Sequence, residues 1–169
     1  MSRLELIRQS DFLRGIPAEL EVRLEEIAKS RNYAVGEVLF SEGAAHHHFS
    51  VIAKGHVRLE MFVPGRGRIA ILTAGPGEVL AWSALVGNSV MTATAIPLDA
   101  VQTVDFPGQD LQRLCETNHE IGYHIMRQLA TALSRRLLAT RLQMLDLFAN
   151  QTPILDLRSN LGRPGDPEC

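Results

Sequence analysis

A chain of 169 residues has room for one domain and a sizeable core, and its 17 basic against 19 acidic side chains give no electrostatic footprint for nucleic acid. Contact with DNA or RNA by this chain alone is therefore not expected. Met1-Ser2-Arg3-Leu4-Glu5 runs into charge instead of an apolar leader, no apolar run approaches the ~18 residues of a membrane span, and Cys115 and Cys169 lack metal spacing, which together point to reduced thiols and a cytoplasmic location away from membranes.

Leu4, Ile7, Phe12 and Leu13 recur near helical spacing, and Leu20, Val22, Leu24 and Ile27 repeat the pattern from Pro17 to Lys29, predicting two short helices. From Arg31 the texture changes to short apolar runs separated by glycine turns. Val38-Leu39-Phe40, Phe49 to Ala53, His56 to Val63 and Arg68 to Thr73 are read as strands, with Pro64-Gly65-Arg66-Gly67 as a hairpin tip. Further strands are expected around Ala93 to Ile96 and Ala100 to Phe106, closed by Pro107-Gly108. Short strands at this spacing indicate an all-β sandwich or barrel in place of βαβ units.

Between the turn Gly75-Pro76-Gly77 and Ala95 lies the stretch on which function is expected to turn. An apolar run from Val79 to Val86 breaks at Gly87-Asn88 and resumes as the alternating Met91-Thr92-Ala93-Thr94-Ala95. A short helical turn between two strands, with the small residues Ser83, Ala84 and Ala93 and the hydroxyls of Thr92 and Thr94, leaves room and backbone N–H groups for a compact anion. No Arg or Lys occurs between Ile71 and Leu111, so affinity for such a ligand must come from the backbone.

Gln109 to Glu116 reads as a short helix and Asn118 to Ala149 as a long one, about 48 Å if continuous. Two apolar stripes run along it. Ile125, Leu129, Ala132, Leu138, Leu142 and Leu145 form one, expected to pack on the chain's own β region. Met126, Ala130, Leu133, Leu137, Thr140, Met144 and Leu147 alternate at four and three, the spacing of a coiled-coil seam, and predict a homodimer. The tail from Gln151, with Pro153, Gly162, Pro164, Gly165 and Pro167, is expected to be flexible in its last part and too short for a helix-turn-helix with its supports. Three parts follow: residues 1–117 as a β-roll with short helices, 118–149 as a dimerisation helix, and 150–169 as a tail.

The order of elements and four motifs resemble the cyclic nucleotide-binding domain of the Crp/Fnr regulator family. The motifs are Gly36-Glu37-Val38-Leu39-Phe40-Ser41-Glu42-Gly43, Gly55-His56-Val57-Arg58-Leu59, Gly75-Pro76-Gly77-Glu78, and Trp82-Ser83-Ala84-Leu85 with Thr92-Ala93-Thr94-Ala95. The resemblance spans Phe12 to Ala149. It implies a mainly β fold with flanking helices: a double-stranded β-helix (jelly-roll) barrel, N-terminal helices and a long C-terminal dimerisation helix. It also implies a ligand cassette at Leu80, Ala81, Trp82, Ser83, Ala84, Leu85, Met91, Thr92 and Ala93. Family members that bind cyclic nucleotides carry a Gly-Glu pair there, the carboxylate accepting the ribose 2′-hydroxyl, and an Arg for the cyclic phosphate. Those positions fall on Ala81-Trp82 and on Met91, and Glu78 belongs to the preceding turn. Each missing charge-assisted contact is worth ~1.5–3 kcal/mol, so affinity for cyclic AMP or cyclic GMP should fall by about two orders of magnitude or more, leaving at most weak binding of a small anion. Trp82 is expected to fill part of the pocket or stack on a ligand ring.

The resemblance implies a non-enzymatic sensor in which ligand moves the roll against the long helix, with residues 80 to 94 as the coupling route. Two alternatives of another kind stay open: a ligand-free interaction domain whose dimer or tail recruits an unknown protein, with Trp82 plugging the cassette, or the sensor part of a transcription regulator without its DNA-binding domain. His46-His47-His48 permits a remote third, a cupin-like metalloenzyme using His46, His48 and His56, but Ile52 stands where the glutamate of that motif would be. Haem through His119 or His124 is the other cofactor weighed, and two distant cysteines exclude the usual iron–sulfur cluster. Arg127, Arg135, Arg136 and Arg141 are read as a solvated helix flank. No nucleophile with an adjacent base, paired carboxylates or cofactor fingerprint is present, so no catalytic residue, resident metal or cofactor is assigned.

Overall fold

The computed structural model describes residues 3–10 and 12–149. Two N-terminal helices, α1 (Arg3–Gln9) and α2 (Ala18–Ile27), lead into β1 (Lys29–Tyr33), β2 (His48–Lys54), β3 (Val57–Val63), β4 (Gly67–Ala74) and β5 (Val79–Leu80). A single turn of helix, α3 (Ser83–Val86), then precedes β6 (Thr94–Pro97), β7 (Val101–Pro107), α4 (Gly108–Thr117) and α5 (His119–Ala149). Phe12 and Leu13, expected to continue a helix, lie in a turn after α1.

The strands form two antiparallel sheets, β1-β7-β2-β5 and β4-β3-β6, and do not close into the barrel the sequence suggested. Alternation along the strands divides the core in two. Phe49, Val51, Val79, Val104 and Phe106 turn one face of the first sheet toward the helices, where they meet Leu6, Ile7, Leu24, Leu111, Ile121, Ile125 and Leu129. The opposite parity, with Ile52, Leu80 and Val101, joins Val57 and Leu59 of the second sheet, together with Phe40, Met91, Ala93 and Ala95. Burial of this kind contributes about 25 cal/mol per Å² of apolar surface and is the main force holding both layers.

Two strand readings need correction. β1 has the sequence Lys-Ser-Arg-Asn-Tyr, is largely exposed and pairs only with β7, so an edge position supplied by backbone bonding left no apolar signature. Val38-Leu39-Phe40 is not a strand: Phe40 makes an isolated bridge to Ala95, and Val38 points to solvent.

α4 and α5 are separated by Asn118 alone. Its N–H donates to the Leu114 carbonyl at the end of α4, and its side-chain Oδ1 accepts from the Ile121 N–H at the start of α5, so one residue caps both helices. The compact division of the chain falls inside α5, after Leu133. In the first unit, Ile121, Ile125 and Leu129 are buried and Ala132 and Leu133 partly so. In the second, Leu138, Leu142 and Leu145 are each more than half exposed, contrary to the expectation that this stripe is covered by the chain itself. Leu137 and Met144 of the seam are equally exposed, while the side chain of Leu147 lies outside the described residues. No helix among the described residues is long and apolar enough to cross a membrane.

Candidate ligand cassette

The cassette begins at the turn before β5. The Glu78 carboxylate accepts the Gly75 N–H at 2.7 Å, and the Gly77 N–H donates to Ile52, so Glu78 stitches the turn as expected and is not aimed at a ligand. β5 pairs with β2 through Ser50–Leu80 and Val51–Val79. Ala81 then takes φ +53°, a left-handed conformation that favours glycine, and this bend starts α3. The Ala81 and Trp82 carbonyls accept from the Ala84 and Leu85 N–H groups, and Gly87 ends the turn.

The return limb is held by the loop before β2. His46 N–H donates to Ser89, Met91 N–H to Ala44, Gly43 N–H to Met91, and Glu42 N–H to the Thr94 hydroxyl at 3.0 Å. Inside the loop, the Ser83 hydroxyl donates to the Val90 carbonyl at 3.2 Å and stands 3.9 Å from the Met91 sulfur. These bonds fix the cassette outline without any charged side chain.

The nine predicted site residues separate into two faces. Leu80, Ala81, Met91 and Ala93 are buried in the cluster between the sheets, where Met91 is only 3% exposed. Trp82 and Leu85 belong to the helix-side cluster, so Trp82 does not plug the space beside Met91. Ser83 and Ala84 are buried within α3, and Thr92 is exposed. No cationic or acidic side chain belongs to the buried cluster around Ala81, Met91 and Ala93.

α3 is tied to the helices behind it by two close backbone approaches. Gly108, the first residue of α4, lies so near the Ala84 carbonyl that a Cβ there would overlap it, and its N–H donates to His47. Gly122 of α5 lies against the Cys115 carbonyl of α4, where a Cβ would come within 2.6 Å. Sequence reading passed over both contacts, although a lone glycine inside a 31-residue helix is a signal of close packing. A cleft of about 520 Å³ opens beside them, with Leu85 and Val86 of α3 on one side, Tyr123 and Met126 of α5 on the other, and Glu116 and His119 at its polar edge. Cys115 also lines it, and burial, with the Glu116 charge adding, pushes its thiol pKa up to about 11, which keeps it protonated and unreactive at neutral pH.

The histidines do not assemble as a metal centre. His46 and His48 have ring centroids 5.7 Å apart, whereas His56 binds Asp99 through Nδ1 at 2.8 Å and through its N–H. Among the described residues, no group of three or more His, Cys, Asp or Glu side chains is placed to hold a metal. A charge pair that the sequence did not reveal lies near the histidines. Asp105 on β7 is fully buried, and Arg31 on β1 brings Nε to 3.2 Å from its Oδ2 without the alignment of a hydrogen bond. Burial, the largest cause, pushes the pKa values of His46 and His48 down, and Arg31 adds to both shifts.

This layout matches known proteins. The family model for the cyclic nucleotide-binding domain matches residues 30–118. Among solved structures, a cyclic nucleotide-binding domain from Methylobacillus flagellatus KT superposes with TM-score 0.74 at 16% identity, covering 86% of this chain and 82% of that one. The N-terminal domain of a transcriptional regulator from Streptomyces coelicolor A3(2) gives 0.64 at 23%, covering 90% and 99%. The catabolite activator protein of Thermus thermophilus gives 0.65 at 24%, covering 83% and 63%. The chain therefore belongs to the cyclic nucleotide-binding domain family, with the fold of its Crp-type regulators.

Proposed function

We propose that the chain is a non-enzymatic, cytoplasmic regulatory module that holds a small ligand weakly, if at all as a cyclic nucleotide, in the cassette formed by Leu80 to Leu85 and Met91 to Ala93. The observation that carries this reading is the buried apolar lining at Ala81, Met91 and Ala93. A cyclic phosphate moved there from water would have no cation beside it, and an unpaired charge in a low-dielectric site is expensive. Met91 occupies the place where the resemblance puts arginine, and Trp82 turns its ring to the helices where the resemblance puts a ribose-binding carboxylate. The regulatory assignment is supported by the fold shared with a transcriptional regulator domain and a catabolite activator protein.

The module pairs with a second copy through α5, with Met126, Ala130, Leu133, Leu137, Thr140 and Met144 at the seam. Support comes from the exposure of Leu137 and Met144, which a solitary helix would leave in water. The close approaches Ala84–Gly108 and Cys115–Gly122 form a continuous route from the cassette to α5. Calorimetric titration with cyclic AMP and cyclic GMP tests the ligand reading: dissociation constants weaker than ~10 µM are expected, and tighter binding of either nucleotide overturns it.

A further inference from the structure

The alternation of seam positions along α5 continues upstream of Met126 to Tyr123 and His119. In heptad terms His119 and Met126 occupy d positions and Tyr123 an a position. These three residues are also the α5 wall of the cleft, and the facing wall is Leu85 and Val86 of α3. Tyr123 is 62% exposed and Val86 47%. A helix lying along the seam would thus meet the outer edge of the cassette helix.

Charge points to the same occupant. In a parallel pair, each g residue lies beside the partner's e residue of the following heptad. Gly122 is at g, and the residue it would face is Arg127 of the second copy. Gly122 has no side chain and is pressed on the backbone of α4, which leaves an arginine room to reach the exposed Glu116 on the cleft edge. Within its own chain Arg127 lies 6.0 Å from the Tyr123 ring centroid.

We propose that the start of α5 from a second copy of this chain docks in the cleft, with its Arg127 paired to Glu116 and its Tyr123 against Val86, so that the cassette helix α3 is itself part of the dimer interface. The inference rests on the α5 pairing given above, and the experiment separates the two. Sedimentation equilibrium is run on the full chain and on Leu137→Glu, Glu116→Arg, Arg127→Glu, Val86→Glu and the double variant Glu116→Arg with Arg127→Glu. All five sites are exposed, and circular dichroism checks that each variant folds.

Leu137→Glu is expected to abolish the dimer. Each single charge reversal breaks two symmetric pairs and should weaken association about tenfold, as should Val86→Glu, while the double variant should return to within about threefold of the parent. Should Leu137→Glu dissociate the dimer while the reversals and Val86→Glu leave its constant unchanged, or should the double variant fail to recover, the cleft docking is wrong and the α5 pairing stands. If the parent chain is a monomer, or Leu137→Glu stays dimeric, the pairing itself falls and the docking with it.

Discussion

Ala81 holds a left-handed backbone that an L side chain adopts at a cost of about 1–2 kcal/mol, at the point where the family resemblance places glycine. Ala81→Gly relieves that strain but loosens the unfolded chain, a smaller opposing effect. We expect a net gain of about 0.5–1 kcal/mol and a Tm rise of about 2–4 °C by calorimetry, and a fall in Tm would show that the bend is unstrained. His46 and His48 set an acid limit on stability. Their folded pKa values are below the ordinary 6.5, so the unfolded state takes up more protons as pH drops. Their contribution is complete above about pH 6.5 and is lost as pH falls below it. The urea midpoint should therefore be lower at pH 5.5 than at pH 7.5, and His46→Gln or His48→Gln should flatten that difference. Asp99, whose pKa is lowered by its hydrogen bonds to His56, loses its contribution only below its ordinary value near 3.8, outside this window.

Helices α3, α4 and α5 are joined by glycine contacts more than by side-chain interlocking, and this decides what substitution does. Gly→Ala inside an exposed helix gains up to about 1 kcal/mol from propensity. At Gly122 the new methyl would meet a backbone carbonyl that cannot rotate away, so Gly122→Ala should instead destabilise by about 1–3 kcal/mol, read as a lower Tm. A raised Tm would mean that α4 and α5 can part without cost. Element boundaries were legible in the sequence wherever apolar periodicity carried them: α4 and α5 begin within a residue of their expected starts, and β7 matches the strand read around Ala100 to Phe106. β1 was not, because its stability comes from backbone pairing with β7, to which residue type is nearly blind. The strand expected from Met91 begins only at Thr94, because the cassette's return limb spends its backbone bonds on the loop before β2.

For the molecule as a whole, the glycine-punctuated motifs were enough to read the family, since turns with positive φ such as Gly36, Gly43, Gly55 and Gly77 constrain residue identity directly. The cassette's position was legible for the same reason, but its facing was not. Which way Trp82 and Met91 turn is settled by the strand parity and the bend at Ala81, neither of which periodicity across a broken run could supply. Arg31 with Asp105 escaped notice because they lie on strands distant in sequence and meet only through register. The single-residue joint at Asn118 has a mechanical corollary. With both helix ends capped by one side chain and one amide, bending concentrates in that residue's two dihedrals, and α5 is a lever about 46 Å long. A swivel of about 5° there sweeps the far tip of the lever through about 4 Å, so a displacement too small to see at the cassette becomes a shift comparable to a whole side chain at its end.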